Sequence, residues 1–152
     1  MALLIITAGL PAAGKSSYLK KANLNLPIVD PDAIKETHPE YDPKKPELLH
    51  DWSTMEARKL HFKYLSEGRD FIVDGTGTNV EKYAQYIKEA KELGYTVELH
   101  YVKVSLGTSI ERNAKRERTV PKEIILAKAG VIDTTTKMIG AICDKFVTVV
   151  ND

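Results

Sequence analysis

The chain has 152 residues and a mass of 17.0 kDa, with 43% hydrophobic and 28% charged residues, which predicts one soluble domain, 1–152, with a sizeable core. A net charge of +1 excludes a global basic field, so any contact with nucleic acid must be local. The single cysteine, Cys143, excludes an internal disulfide and reads as a small apolar residue in a reducing compartment. No run of about 18 apolar residues is present, so no membrane span is expected. Met1 leads straight into an apolar run, leaving no room for a signal or transit peptide, and the expected location is cytoplasmic.

Leu3-Leu4-Ile5-Ile6 predicts a buried strand over 2–7, and 15–23 predicts a helix. Between them, residues 9–16 read Gly-Leu-Pro-Ala-Ala-Gly-Lys-Ser, a complete Walker A loop in the strand–loop–helix context the motif requires. Gly9 and Gly14 let the backbone curl so that N–H groups converge on an anion. Pro11, Ala12, Ala13, Gly14, Lys15, Ser16 and Ser17 are therefore expected to cradle a nucleotide triphosphate, ATP or GTP. Lys15 would lie on the β- and γ-phosphates and the Ser16 hydroxyl on Mg²⁺.

Leu26–Val29 is a short second strand that ends at Asp30. Asp30-Pro31-Asp32 then opens a helix: a capping residue, a proline at the first position and an acid at the positive end. A carboxylate here can also take the proton of an attacking hydroxyl, and Asp32, one residue into the helix, is the candidate general base. Pro39, Pro43 and Pro46 make 39–46 an irregular connection.

A longer helix is expected over 46–67, with Leu48, Trp52, Met55, Phe62 and Leu65 near helical spacing and Gly68 as its stop. Trp52 reads as core. Phe71–Asp74 is the third strand. Asp74 ends it in the manner of a Walker B acid, able to hold Mg²⁺ through water or to orient a hydroxyl. The loop Asp74-Gly75-Thr76-Gly77-Thr78-Asn79 suits close approach to a ligand, which makes Asp74, Thr76 and Thr78 candidate acceptor contacts.

An amphipathic helix from Val80 to Gly94 and a strand over 95–104 follow. A basic helix over 106–118 carries Arg112, Lys115, Arg116 and Arg118, and Val120-Pro121 breaks it as a hinged lid over 106–122 would require. Phosphoryl transfer spreads negative charge that mobile arginines neutralise, and Arg112 and Arg116, four apart, share one face. Residues 134–143 predict a helix and 146–150 a fifth strand. Strands spaced by helices predict an α/β three-layer sandwich around a mainly parallel five-stranded sheet. His38, His50, His61 and His100 lack metal-ligand spacing and read as structural or surface residues.

This combination resembles the small P-loop kinases that include polynucleotide 5′-hydroxyl kinases and zeta toxins. Asp30-Pro31-Asp32-Ala33-Ile34-Lys35, followed by His38-Pro39-Glu40-Tyr41-Asp42, is similar to the zeta-toxin segment that holds the catalytic aspartate, a match falling on Asp32. The resemblance implies a basic residue near the acceptor at Lys35 and offers Glu56 as the counterpart of a substrate-binding glutamate. Arg112-Asn113-Ala114-Lys115-Arg116 with Val120-Pro121 is similar to the lid of polynucleotide kinases, where the final arginine, here Arg116, reaches the transferred phosphate. Zeta toxins carry an arginine after their acidic Gly-Thr-Gly loop, whereas this chain has Thr78, which favours a nucleotide or nucleic-acid acceptor over a UDP-linked amino sugar. The expectation is therefore a kinase with Lys15, Asp32 and Arg116 as catalytic residues. A zeta-type UDP-sugar kinase with an antitoxin-like protein partner, and a binding module that hydrolyses ATP slowly, are the alternatives.

Overall fold

The computed structural model describes residues 2–116 and 119–152. Its strands are β1 (Leu3–Ala8), β2 (Ile28–Val29), β3 (Phe71–Asp74), β4 (Thr96–Lys103) and β5 (Lys145–Val150). They form one sheet in the order β2-β3-β1-β4-β5, and every pairing is parallel. The expected mainly parallel sheet is thus wholly parallel.

The reason lies in β1. Its side chains alternate between faces, and both faces are apolar, as a central strand covered on both sides requires. Leu4 and Ile6 join the larger core with Phe71, Val97 and Leu99, while Ile5 joins Leu19 and Ile72 on the opposite face. Each parallel connection crosses over through helix: α1 (Lys15–Lys21), α2 (Pro31–Glu36), α3 (His50–Glu67), α4 (Val80–Glu92), α5 (Leu106–Ala114), α6 (Lys122–Ala129) and α7 (Ile132–Gly140).

Several boundaries differ from expectation. The helix expected over 46–67 begins as a 3-10 turn at Pro46–Leu49 and becomes α-helical at His50. Its inward face is Ser53, Ala57, His61 and Leu65, spaced by four, whereas Leu48, Met55 and Phe62 are exposed. Of the five residues near helical spacing only Leu65 is on that face; the apolar residues are spread around the helix, so spacing alone does not give the inward face. Trp52 is half-buried and packs its ring against His38 at 4.8 Å rather than joining the central core. The basic helix stops at Ala114, and α7 starts two residues early, at Ile132. Cys143 is half-buried against the core, and burial pushes its thiol up to about 11.

Candidate active site

In a parallel sheet, ligand clefts open beyond the carboxyl ends of the strands. Here β1, β2 and β3 deliver to that edge the Walker A loop, the Asp30–Asp32 turn and the Asp74–Asn79 loop. The Walker A backbone takes the left-handed conformation at Ala12 (φ 61°) and Gly14 (φ 89°). A side chain at Gly14 would be strained by that angle and would also collide with the Asn151 amide. Two loop carbonyls are held by distant side chains: Ser109 Oγ donates to Pro11 O at 2.6 Å, and Asn151 Nδ2 donates to Ala13 O at 2.7 Å. Gly9 sits below the loop. Its N–H donates to Thr76 O at 3.0 Å, and a Cβ there would lie 2.7 Å from Val102 O.

The loop forms one wall of a cleft of about 410 Å³. Residues Pro11, Ala12, Ala13, Gly14, Lys15, Ser16 and Ser17 line it, facing Asp30, Asp32, Asp74, Thr76, Arg112, Arg116, Val120 and Lys128. A second cleft of about 280 Å³ adjoins it and shares Lys15, Asp30, Asp32, Asp74, Thr76 and Lys128. This one continues past Pro31, His50, Thr78, Asn79, Lys82 and Tyr83. Two adjoining clefts that share lining residues can bring two molecules into contact, which group transfer needs.

The shared wall is highly charged. Lys15 Nζ donates to Gly75 O at 2.8 Å and lies 3.8 Å from Asp74 Oδ1, which also accepts from Thr7 Oγ1 at 2.6 Å. Asp30 caps α2 by accepting the Asp32 N–H at 3.0 Å. Burial, then the neighbouring Asp74 and Asp32 carboxylates, push its carboxyl up to about 6. Asp32 is the more exposed acid, and the buried Lys35 ammonium sits 4.0 Å from its Oδ1. Lys35 lines neither cleft; its charge serves Asp32 from beneath the wall. Glu56 also lies outside both clefts and pairs with Lys59 at 3.2 Å.

Arg112, on α5, and Arg116, two residues past its end, both line the first cleft; they do not share one helical face as their spacing predicts, because α5 stops at Ala114. Arg118 lies outside the described residues. Sequence reasoning missed four groups that complete the site. Lys128 donates to Thr76 Oγ1 at 3.1 Å from α6, where nothing local distinguishes it from a surface lysine. Lys82 and His50 line the second cleft, and Asn113 ties the chain after α5 to Val120.

The cleft lining suits Mg²⁺ on donor chemistry. Ser16 and Asp74 place hard oxygen donors on its wall, the ligand type that Mg²⁺ takes. Among the described residues, no group of three or more His, Cys, Asp or Glu could hold a metal by itself. No described helix is long and apolar enough to cross a membrane.

A family model described as an AAA domain matches residues 4–136. The chain belongs to that family. A curated relative in this P-loop group, the L-seryl-tRNA(Sec) kinase of Methanococcus maripaludis, is 28% identical over 139 residues. The match covers 87% of this chain and 53% of that protein, so the chain spans about half of its relative's length. The structure of the PezAT chromosomal toxin–antitoxin system of Streptococcus pneumoniae superposes with a TM-score of 0.76 at 20% identity, covering 97% of this chain and 67% of that one. A chain of the Pnkp1/Rnl/Hen1 RNA repair complex gives 0.68 at 15% identity, over 90% of this chain and 45% of its own. These likenesses give the fold: a P-loop domain of the kinase type.

Proposed function

We propose that this AAA-domain chain is a kinase that transfers the γ-phosphate of ATP (or GTP) to a hydroxyl of a nucleotide or polynucleotide in the cytoplasm. The observation that carries the reading is the shared wall, where Lys15, Asp32 and Asp74 face both clefts at once. Walker A N–H groups and Lys15 hold the donor phosphates in the first cleft, and the acceptor enters the second. Asp32, exposed on the wall, accepts the proton of the acceptor hydroxyl as its oxygen attacks the γ-phosphorus. Arg112 and Arg116, on a lid formed by 106–122, counter the charge that spreads over the transferred group. Ser16 and Asp74 would hold Mg²⁺, which would supply neutralisation of the phosphate charge.

The nucleic-acid side of the reading draws support from the relative named for seryl-tRNA, from the neighbour in an RNA repair complex, and from Thr78. The test is γ-labelled ATP offered with 5′-hydroxyl oligonucleotides, nucleosides and UDP-amino sugars, with Lys15→Ala as the control. Label on an oligonucleotide or nucleoside is the expected result. Label on a UDP-sugar alone would replace the acceptor and bring forward a zeta-type kinase with an antitoxin-like partner. ATP hydrolysis without transfer to any acceptor would make the chain a nucleotide-dependent binding module.

A further inference from the structure

Two ammonium groups in the second cleft have no part in the proposed transfer. Lys82 comes from the first turn of α4 and Lys128 from the last turn of α6. Among the described residues, neither has a carboxylate within 4.0 Å. Lys128 donates to the neutral Thr76 hydroxyl, and Lys82 lies 5.5 and 5.8 Å from the ring centres of Tyr83 and Tyr86. Burial holds both below the ordinary lysine range; Lys15 and Lys82 add to the effect on Lys128 while the more distant Asp32 opposes it, and Arg58 adds to it on Lys82. Half-buried cations without a carboxylate in contact are costly, and a bound anion removes that cost.

The carboxylates are placed to match. All three that line the second cleft, Asp30, Asp32 and Asp74, lie on the wall it shares with the first. Beyond that wall the lining contains Lys82, His50, Thr78 and Asn79, and no acid among the described residues. The second cleft therefore has a shared wall, where three acids stand with Lys15 and Lys128, that suits a hydroxyl about to lose its proton, and beyond it a cationic end, with Lys82 and no acid among the described residues, that suits an anion. Lys128, on the shared wall, lines both clefts. Lys35, the basic residue that local sequence offers for this task, is buried against Asp32 instead.

We propose that Lys82 and Lys128 hold an anionic group, phosphate or carboxylate, borne by the acceptor itself beside the hydroxyl that is phosphorylated. This deepens the kinase reading and depends on it for the word acceptor. The natural substrate is then an alcohol that already carries a negative group. A neutral alcohol of the same shape would lose the contact at the cationic end, and with it most of its affinity.

A first experiment needs no turnover. With the donor cleft filled by a non-hydrolysable ATP analogue and Mg²⁺, inorganic phosphate is titrated while the lysine side-chain signals are followed by NMR. Phosphate should shift the Lys82 and Lys128 signals saturably. Lys82→Met and Lys128→Met should each weaken binding about tenfold, and Lys82→Arg should restore most of it. Lys82→Met should leave affinity for the ATP analogue within twofold. Phosphate that binds only when the analogue is absent would assign these cations to the donor and overturn the proposal, as would equal binding by wild type and Lys82→Met.

A second experiment compares transfer to matched alcohols without a charge, with a carboxylate and with a phosphate. The charged member should have a KM at least tenfold lower than the neutral one, and Lys82→Met should remove the difference; the preferred charged member identifies the group. Equal KM values across the set would overturn the proposal. If nothing in the set is phosphorylated, the kinase reading fails, and the phosphate titration still decides whether this anion site exists.

Discussion

The side-chain amide of Asn113 makes two hydrogen bonds to one residue, accepting the Val120 N–H at 2.9 Å and donating to the Val120 carbonyl at 2.8 Å. Arg116 Nη2 donates to the same Asn113 Oδ1 at 3.2 Å. The buried amide thus fixes the bend between α5 and α6, with Arg112 and Arg116 on one side and Val120 on the other, all lining the first cleft. Asn113→Ala leaves the half-buried Val120 N–H and C=O without these partners, which costs at most about 1–3 kcal/mol. The expected outcome is a lower melting temperature and a kcat reduced about tenfold or more, with a smaller change in the KM for ATP. Asn113→Asp keeps the acceptor and loses the donor, so its effect should be intermediate. A folded Asn113→Ala protein with wild-type kcat would show that the bend has no bearing on turnover.

Arg116→Lys keeps one charge but loses the planar fork that can meet two phosphate oxygens. Turnover should fall by an order of magnitude or more while ground-state affinity for an ATP analogue changes little, because the contact strengthens in the transition state. Steady-state kinetics beside analogue titration separates the two quantities, and an unchanged kcat would remove this arginine from the transfer step.

Asp32→Asn should lower turnover by roughly 10²–10⁴-fold, the range for removing a general base, while nucleotide binding persists. Asp30→Asn should act differently. With its native carboxyl raised to about 6 by burial and two acidic neighbours, Asp30 stays protonated in the folded chain at pH values where the unfolded chain has released its proton. Between about pH 4 and 6 the native state binds more protons, so this group's contribution to stability falls as pH rises and stays lower above 6. Asparagine still caps α2. Asp30→Asn should therefore raise the melting temperature of the nucleotide-free protein at pH 7.5 and hardly alter it at pH 4. Calorimetry at the two pH values reads the sign directly.

His61 predicts the opposite slope. Its ring packs between Tyr86, at 4.3 Å, and Phe71, at 5.3 Å, and neither ring nitrogen has a hydrogen-bond partner among the described residues. Burial holds its pKa down to about 4. Between about 6.5 and 4 the unfolded chain binds the proton that the folded chain refuses, so stability is lost as pH falls through that window. His61→Leu should flatten this acid limb and cost little at pH 7. An acid limb of the same steepness in the variant would place the sensitivity elsewhere.

The Walker A loop, the Asp30–Asp32 cap and the Asp74 loop were legible in the sequence because each is a local pattern with a local physical cause. The alternation of strand and helix was legible for the same reason, and it led to the parallel sheet. The inward face of α3 was not, because its buried positions are Ser53, Ala57 and His61 while Met55 and Phe62 face solvent. His61 is buried by ring contacts with Phe71 and Tyr86 from other elements, which hydrophobic spacing along one helix cannot report. Lys128 and Ser109 were illegible for a different reason. Ser109 meets Pro11 across 98 residues of sequence and Lys128 meets Thr76 across 52, separations that only the closed sheet brings to contact.

Asn151 meets Ala13 across 138 residues, further still. The bond becomes available only once β5 has paired with β4, whose last register pair is Lys103 with Val150. At ordinary synthesis rates of about 5–20 residues per second, a ribosome needs on the order of ten seconds to travel from the first of these residues to the second. Through that interval the nascent chain carries the Walker A residues without the side chain that secures the Ala13 carbonyl. The Ala13 carbonyl of the Walker A loop is thus secured late relative to the loop's own synthesis, by a side chain made 138 positions after it.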